Sequence, residues 1–216
     1  MRSPISLIDP LMTLVADTST VINLIATGCA PTILGALPNP IVVVDVIPGE
    51  LDTGRSRGRP HADRLQQIVA EGHIAIVTLG ETGWQHFEML VAGAASETLD
   101  DGEAASIAYA AEQGAVVILD EKKGTRICAA RFPNMGLIST LDVLLHPKVR
   151  EALGDDALAD AVFAALRDAR MAVFPCHRDE VLQLIGPERA VWCSSFSKGF
   201  RVSDCAEPQI EIDQGV

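Results

Sequence analysis

This 216-residue sequence contains no CxxC pair: its five cysteines, Cys29, Cys128, Cys176, Cys193 and Cys205, are odd in number and scattered. That argues against a disulfide framework and against a zinc finger, and makes a reducing, cytoplasmic setting the expected one. The five histidines are equally dispersed, with no HExxH and no His/Cys cluster, so any bound metal is expected to be held by oxygen. No apolar run approaches the roughly 20 residues needed to span a bilayer, and the first residues lack a charged region followed by a signal-type core, so no membrane association is expected. Basic charge is scarce too: 17 Lys and Arg face 29 Asp and Glu, for a net charge of −12. A protein that grips nucleic-acid phosphates usually presents a basic surface. The acidity therefore weighs against such a partner unless part of it surrounds a divalent cation, whose own charge reverses the local balance. Asp155, Asp156, Asp160 and the acids of the tail read as a solvated face.

What is present is apolar substance: 48% of the residues are hydrophobic, enough to bury a sizeable core in one domain with an appendage. Leu14-Val15-Ala16 is an apolar run that ends in Asp17, followed by Thr18, Ser19 and an apolar pattern of helical spacing to Gly28. That reads as a buried strand, a tight turn and a helix closed by glycine. A short helix is expected over Pro31 to Leu37, and Ile41-Val42-Val43-Val44 is a β-branched run typical of a strand buried on both faces. Gly54-Arg55-Ser56-Arg57-Gly58-Arg59-Pro60-His61, the one dense basic segment, reads as a loop, either a solvated connector or a phosphate-contacting flap.

Further helices are expected over Ala62 to Ala70, Thr82 to Ala92, Ala104 to Gln113 and Thr125 to Arg131. Strands are expected over Ile74 to Thr78, Ala115 to Leu119 and Gly136 to Ile138, with Ser139-Thr140 capping a helix over Leu141 to Leu145. This alternation implies right-handed crossovers and a central parallel sheet covered on both sides. Beyond Pro147 the strands stop, and helices over Ala157 to Ala169 and Glu180 to Ile185 form a C-terminal appendage. The expected division is residues 1–150 for the α/β domain and 151–216 for the helical extension and polar tail.

Carboxylates recur where this pattern places strand ends or helix starts: Asp17, Glu50, Asp101 with Glu103, and Asp120 with Glu121. In a parallel sheet those positions converge on one edge. Converging carboxylates repel one another and are costly unless a cation neutralises them, and Mg²⁺ or Mn²⁺, which takes oxygen ligands, suits such a set. Each acid also has a plainer explanation. Asp17 and Asp120 can be helix caps, Asp100 with Glu103 has the spacing of a capping box, and Glu50 alone would be a surface acid. What joins them is their number together with Ser19 beside the first and Lys122 and Arg126 beside the last.

Asp17-Thr18-Ser19 with Val21-Ile22, Pro48-Gly49-Glu50-Leu51, Leu99-Asp100-Asp101-Gly102-Glu103-Ala104 with Ile107-Ala108, and Leu119-Asp120-Glu121-Lys122 resemble the ordered motifs of PIN-domain proteins, over roughly Leu14 to Pro147. The third and fourth motifs look more like a PIN-like bacterial subgroup than the best-known toxin subfamily. The resemblance implies a three-layer α/β/α PIN-like fold and a divalent-metal-dependent ribonuclease, frequently the toxin of a type II toxin–antitoxin pair and commonly a homodimer. Position by position it implies Asp17, Glu50 and Asp120 as metal ligands and catalytic residues, with Glu103 in the third acidic place and Asp101 as its competitor. Ser19 would orient a ligand or a metal-bound water and Glu121 would assist. Lys122, Arg126, Arg55, Arg57 and Arg59 are the candidates to hold the RNA backbone. The fourth motif departs from the pattern in lacking the Thr that often precedes its Asp.

Two other readings compete. A non-catalytic PIN-like interaction module acting through its C-terminal extension is favoured by the net acidity and by the length of that extension. A phosphatase of the haloacid dehalogenase type also places an Asp after its first strand, but needs a second Asp two positions later, where this chain has Ser19.

Overall fold

The computed structural model describes residues 9–55 and 61–197. The strands β1 (Leu14–Ala16), β2 (Ile41–Val44), β3 (Ala75–Val77), β4 (Val116–Ile118) and β5 (Gly136–Ile138) form a parallel five-stranded sheet in the order β3-β2-β1-β4-β5. The apolar runs of β1, β2 and β4 are continuous because both faces of the sheet are covered there, whereas the edge strand β3 is largely exposed. Leu14, Ala16, Ile41, Val43, Val116 and Ile118 face one core, while Val15, Val42, Val44, Val117 and Leu119 face another, the alternation that a strand's two-residue side-chain period requires.

The first face is covered by α1 (Thr18–Ala26), α2 (Ala30–Ala36), α3 (Val46–Arg55) and α4 (His61–Ala70), which contribute Val21, Leu24, Ile33, Ile47, Leu51, Leu65 and Ile68. The second is covered by α5 (Glu81–Val91), α6 (Asp101–Gln113) and α7 (Lys122–Arg131), through Leu90, Ile107, Ile127 and the small residues Ala104, Ala105 and Ala108. This is the α/β/α layering that the strand–helix alternation predicts. After β5 come α8 (Thr140–Leu144), α9 (Pro147–Leu153), α10 (Asp155–Asp168) and α11 (Arg178–Ile185). Leu158, Val162 and Leu166 of α10 and Val181 and Ile185 of α11 lie in the same core as β1 and α1, so these helices are built onto the first layer.

Among the described residues no single helix is long and apolar enough to cross a membrane. The helix boundaries differ from the sequence expectation where carboxylates meet helix starts. α3 runs from Val46 to Arg55, through Pro48-Gly49 and into the basic segment read as a loop. Proline is compatible with the first turn of a helix, where its missing N–H has no intrahelical partner, and Ile47 and Leu51, one turn apart, are both buried. Likewise α6 and α7 start at Asp101 and Lys122, three residues earlier than the apolar periodicity suggested.

Strand order reverses between β1 and β4: the chain leaves β1 toward β2 on one side and returns to β4 on the other. The crevice beyond the carboxyl ends of those two strands is where open α/β sheets place ligands. Ala16 pairs with Ile118 across it, so Asp17 and Leu119, the residue before Asp120, leave the sheet side by side.

Candidate active site

Asp17 is the N-cap of α1. Its carboxylate accepts hydrogen bonds from the Thr20 N–H at 2.7 Å and from the Ser19 hydroxyl at 2.8 Å. The capping role is therefore real, but it accounts for only part of the placement: Asp17 is 1% exposed, and an exposed cap would serve the helix as well. Burial pushes its carboxyl up to about 6 against the hydrogen bonds from Thr20 and Ser19, and the charge of Asp120 adds to the rise.

Asp120, just after β4, is also buried. One oxygen accepts from the Thr140 N–H at 2.8 Å, and the other from the Thr140 hydroxyl at 2.5 Å and the Asn23 amide at 2.6 Å. Burial raises its carboxyl above the usual range, opposed by these donors. The first two acids thus stand on the same edge, within electrostatic reach of each other, and each is fixed by dedicated donors from α1 or α8. Asn23 and Thr140 are absent from the sequence-derived site. Their signal was a polar residue in the buried run Val21-Ile22-Asn23-Leu24, and a hydroxyl directly following a helix cap.

Glu50, on α3, is half-buried and links two helix starts. It accepts from the Gly102 N–H of α6 at 2.8 Å and from the Thr18 hydroxyl of α1. A Cβ on Gly102 would collide with the Glu50 carboxylate and lie 2.6 Å from the Thr18 hydroxyl oxygen. Glycine at 102 is what lets Glu50 approach the α6 backbone.

Glu103 lies one residue further on, in the first turn of α6, whose N-cap Asp100 accepts from the Glu103 N–H at 3.0 Å. The capping-box spacing therefore reflects a real cap. The Glu103 carboxylate, though, points into the molecule: the residue is 5% exposed and its Oε1 has no hydrogen-bond partner. That oxygen lies against Gly124 of α7, where a Cβ would collide with it. Burial pushes the Glu103 carboxyl up to about 8, reinforced by the charges of Glu121, Asp100 and Asp17 and opposed by Lys123. One carboxylate oxygen each of Asp100, Glu103 and Glu121 lie within 4.8 Å of one another. Asp101, the first residue of α6, is exposed and outside this group.

The other sequence-derived candidates are more dispersed. Lys122 is exposed in the first turn of α7. Arg126, further along the same helix, donates to the Ser96 carbonyl at 3.0 Å and so braces the α5–α6 connection, as does Arg131 through the Met89 and Glu97 carbonyls. Arg55 ends α3, while its side chain, Arg57 and Arg59 lie outside the described residues.

The arrangement fits a divalent cation. A buried carboxylate oxygen without a donor, on a carboxyl that neighbouring negative charges push up, costs free energy that an oxygen-seeking Mg²⁺ or Mn²⁺ relieves. A single proton on Glu103 relieves it too, so cation and proton compete for this edge.

No curated protein and no solved structure matches the chain. A family model described as a PIN domain matches residues 13–187, a span that includes all five strands and the four acidic positions. PIN domains are generally nucleases that use divalent metals, and the chain belongs to the PIN-domain family.

Proposed function

We propose that the protein is a Mg²⁺- or Mn²⁺-dependent endoribonuclease that hydrolyses RNA phosphodiester bonds. The observation that carries this reading is the placing of Asp17, Asp120 and Glu103 within electrostatic reach of one another at the switch-point edge, with one buried carboxylate oxygen of Glu103 lacking a partner. Asp17 and Asp120 would hold the cation, with Glu50 and Glu103 binding directly or through water. Held by these residues, the cation would supply a water of lowered pKa and positive charge opposite the phosphate. The chain's own residues do the positioning. Thr20 and Ser19 hold the Asp17 carboxylate, Asn23 and Thr140 hold that of Asp120, and the Glu50 bridge ties the start of α1 to the start of α6. Lys122, together with the basic segment at Arg55, Arg57 and Arg59, is assigned to the RNA backbone, because phosphate contacts position a strand without reading its sequence.

Within this reading the protein acts in the cytoplasm as the toxin of a type II toxin–antitoxin pair, works as a homodimer, and is silenced by a cognate antitoxin. Support for the toxin role is the family resemblance alone. The test is incubation of the full chain with short single-stranded RNA in Mg²⁺ or Mn²⁺. Cleavage that is lost on chelation and in Asp17→Asn is the expected result. No cleavage at any metal concentration would replace this reading with the non-catalytic interaction module, which the net charge of −12 favours.

A further inference from the structure

A series of contacts runs from the C-terminal helices to Asp120. Among the described residues three donors hold the Asp120 carboxylate, and two of them belong to Thr140: its N–H at 2.8 Å and its hydroxyl at 2.5 Å. Asn23 supplies the third. Thr140 is fully buried and is the first residue of α8, directly after the N-cap Ser139. The aim of both Thr140 donors is therefore set by how the first turn of α8 is held. That turn carries a capping box: Asp142 accepts from the Ser139 N–H and hydroxyl, both at 2.7 Å, and donates its own N–H to the Ser139 hydroxyl oxygen at 3.3 Å.

A capping box is complete without a further partner, but this one has His177. That residue ends a single 3₁₀ turn, Pro175–His177, leading into α11, and its Nε2 lies 3.1 Å from Asp142 Oδ1 and 3.3 Å from Ser139 Oγ. The His177 and Asp142 side chains are only 14% and 22% exposed, so solvent screens the contact less than it screens a surface pair. Burial pushes the Asp142 carboxyl up, but the hydrogen bond and charge of His177, with the Ser139 donors, outweigh it and hold the carboxyl below its usual range. Val181 and Ile185 anchor α11 in the core shared with β1 and α1, so His177 is presented from a fixed element.

We propose that His177 is a positioning residue for Asp120, acting through the Asp142–Ser139 cap and Thr140. The inference rests on the nuclease reading for the cation that Asp120 holds. With a proton on Nε2, the imidazole fixes the carboxylate that holds Ser139, and the first turn of α8 then presents the Thr140 N–H and hydroxyl to Asp120. The segment beyond residue 150 thereby contributes to the site.

The test compares, in the full-length protein, His177→Ala, which removes the donor, with His177→Gln, whose side-chain N–H can stand in for that of Nε2. Arg189→Ala is the control, because Arg189 pairs with Asp160 at 2.7 Å in a contact within the C-terminal helices, tying α12 (Pro187–Ala190) to α10. The first readout needs no metal: hydrogen exchange of the Thr140 amide in the cation-free protein, measured against the amides of β1 and β4. His177→Ala is expected to speed exchange at Thr140 about tenfold relative to those strands, the scale of one lost hydrogen bond, and the other two variants to leave it within about twofold. The second readout is Mn²⁺ affinity by calorimetry, with kcat and KM for RNA. His177→Ala is expected to lose about tenfold in affinity and in kcat, the lower end of what an outer partner at a metal site contributes, with KM within about twofold and recovery in His177→Gln. Unchanged Thr140 exchange in His177→Ala, exchange that rises equally in the strands, an equal effect in Arg189→Ala, or no rescue by glutamine would each overturn the proposal. A wild type that neither binds Mn²⁺ nor cleaves RNA defeats the nuclease reading instead, and Thr140 exchange still decides whether His177 positions Asp120.

Discussion

Asp17 and Asp120 on one side, and Asp100, Glu103 and Glu121 on the other, are the same functional group in two kinds of surroundings. The first pair is enclosed and supplied with donors, so its geometry is set by the fold before any ligand arrives. The second group faces outward except for Glu103: Asp100 caps α6 by accepting from the Glu103 N–H, and the charges of Asp100 and Glu121 bear on the inward Glu103 carboxyl. What the difference teaches is that burial and neutralisation are separate problems in this site. Thr20, Ser19, Asn23 and Thr140 stabilise the inner carboxylates, whereas nothing in the described structure hydrogen-bonds the inward oxygen of Glu103.

The largest effect is expected on removing an inner charge. Asp17→Asn and Asp120→Asn should each lower the rate of metal-dependent RNA cleavage by about 10²–10³ or more, the scale of losing one preorganised charge-stabilising group, with circular dichroism unchanged. Near-wild-type cleavage in either would break the distinction between inner and outer acids. Gly124→Ala comes next. The added methyl displaces the Glu103 carboxylate, and cleavage and Mn²⁺ affinity should each fall roughly tenfold, the scale on which a supporting contact at a metal site acts.

Asp17→Asn should also stabilise the cation-free protein. Asparagine retains the cap, while the cost of a buried charge, about two units at about 1.4 kcal/mol each, disappears. At pH 8 a rise in Tm of several degrees is expected by calorimetry, since about 1 kcal/mol moves a chain of this length by about 2–4 °C. The smallest effect separates bracing from binding. Arg126→Ala should leave the KM for RNA within about twofold, because its guanidinium is engaged with the Ser96 carbonyl, whereas Lys122→Ala should raise KM severalfold, as the loss of one phosphate contact does. A reversal of that order would return Arg126 to the RNA-binding surface.

The layers and the parallel sheet were legible in the sequence because their signal is local: β-branched runs bounded by turn residues, and glycines closing helices. The places of Asp17 and Asp120, just beyond β1 and β4, were legible for the same reason. What was hidden depends on partners far away in the chain. Asn23 meets Asp120 across 97 positions and Thr18 meets Glu50 across 32, and no periodicity encodes either. The extent of α3 was hidden because Pro48-Gly49 locally signals a break, while the burial of Ile47 and Leu51 that sustains the helix is tertiary. The choice between Asp101 and Glu103 turned on two residues of register, and the helix that the Asp100 cap opens turns Glu103 inward and Asp101 outward.

The central claim, that these carboxylates crowd one edge and want a cation, is tested most directly by thermal stability as a function of pH, with and without Mg²⁺. Asp17 and Glu103 both have folded-state pKa values, about 6 and about 8, above their ordinary 3.8 and 4.5. Their contribution is therefore fully present below the ordinary values and is lost as pH rises through the raised ones. The cation-free protein should lose Tm steadily from about pH 5 to pH 8. Saturating Mg²⁺ should restore it at pH 8 in the wild type, and markedly less in Asp17→Asn. A cation-free Tm that is flat or rises across that range, or an equal Mg²⁺ effect in both proteins, would contradict the account.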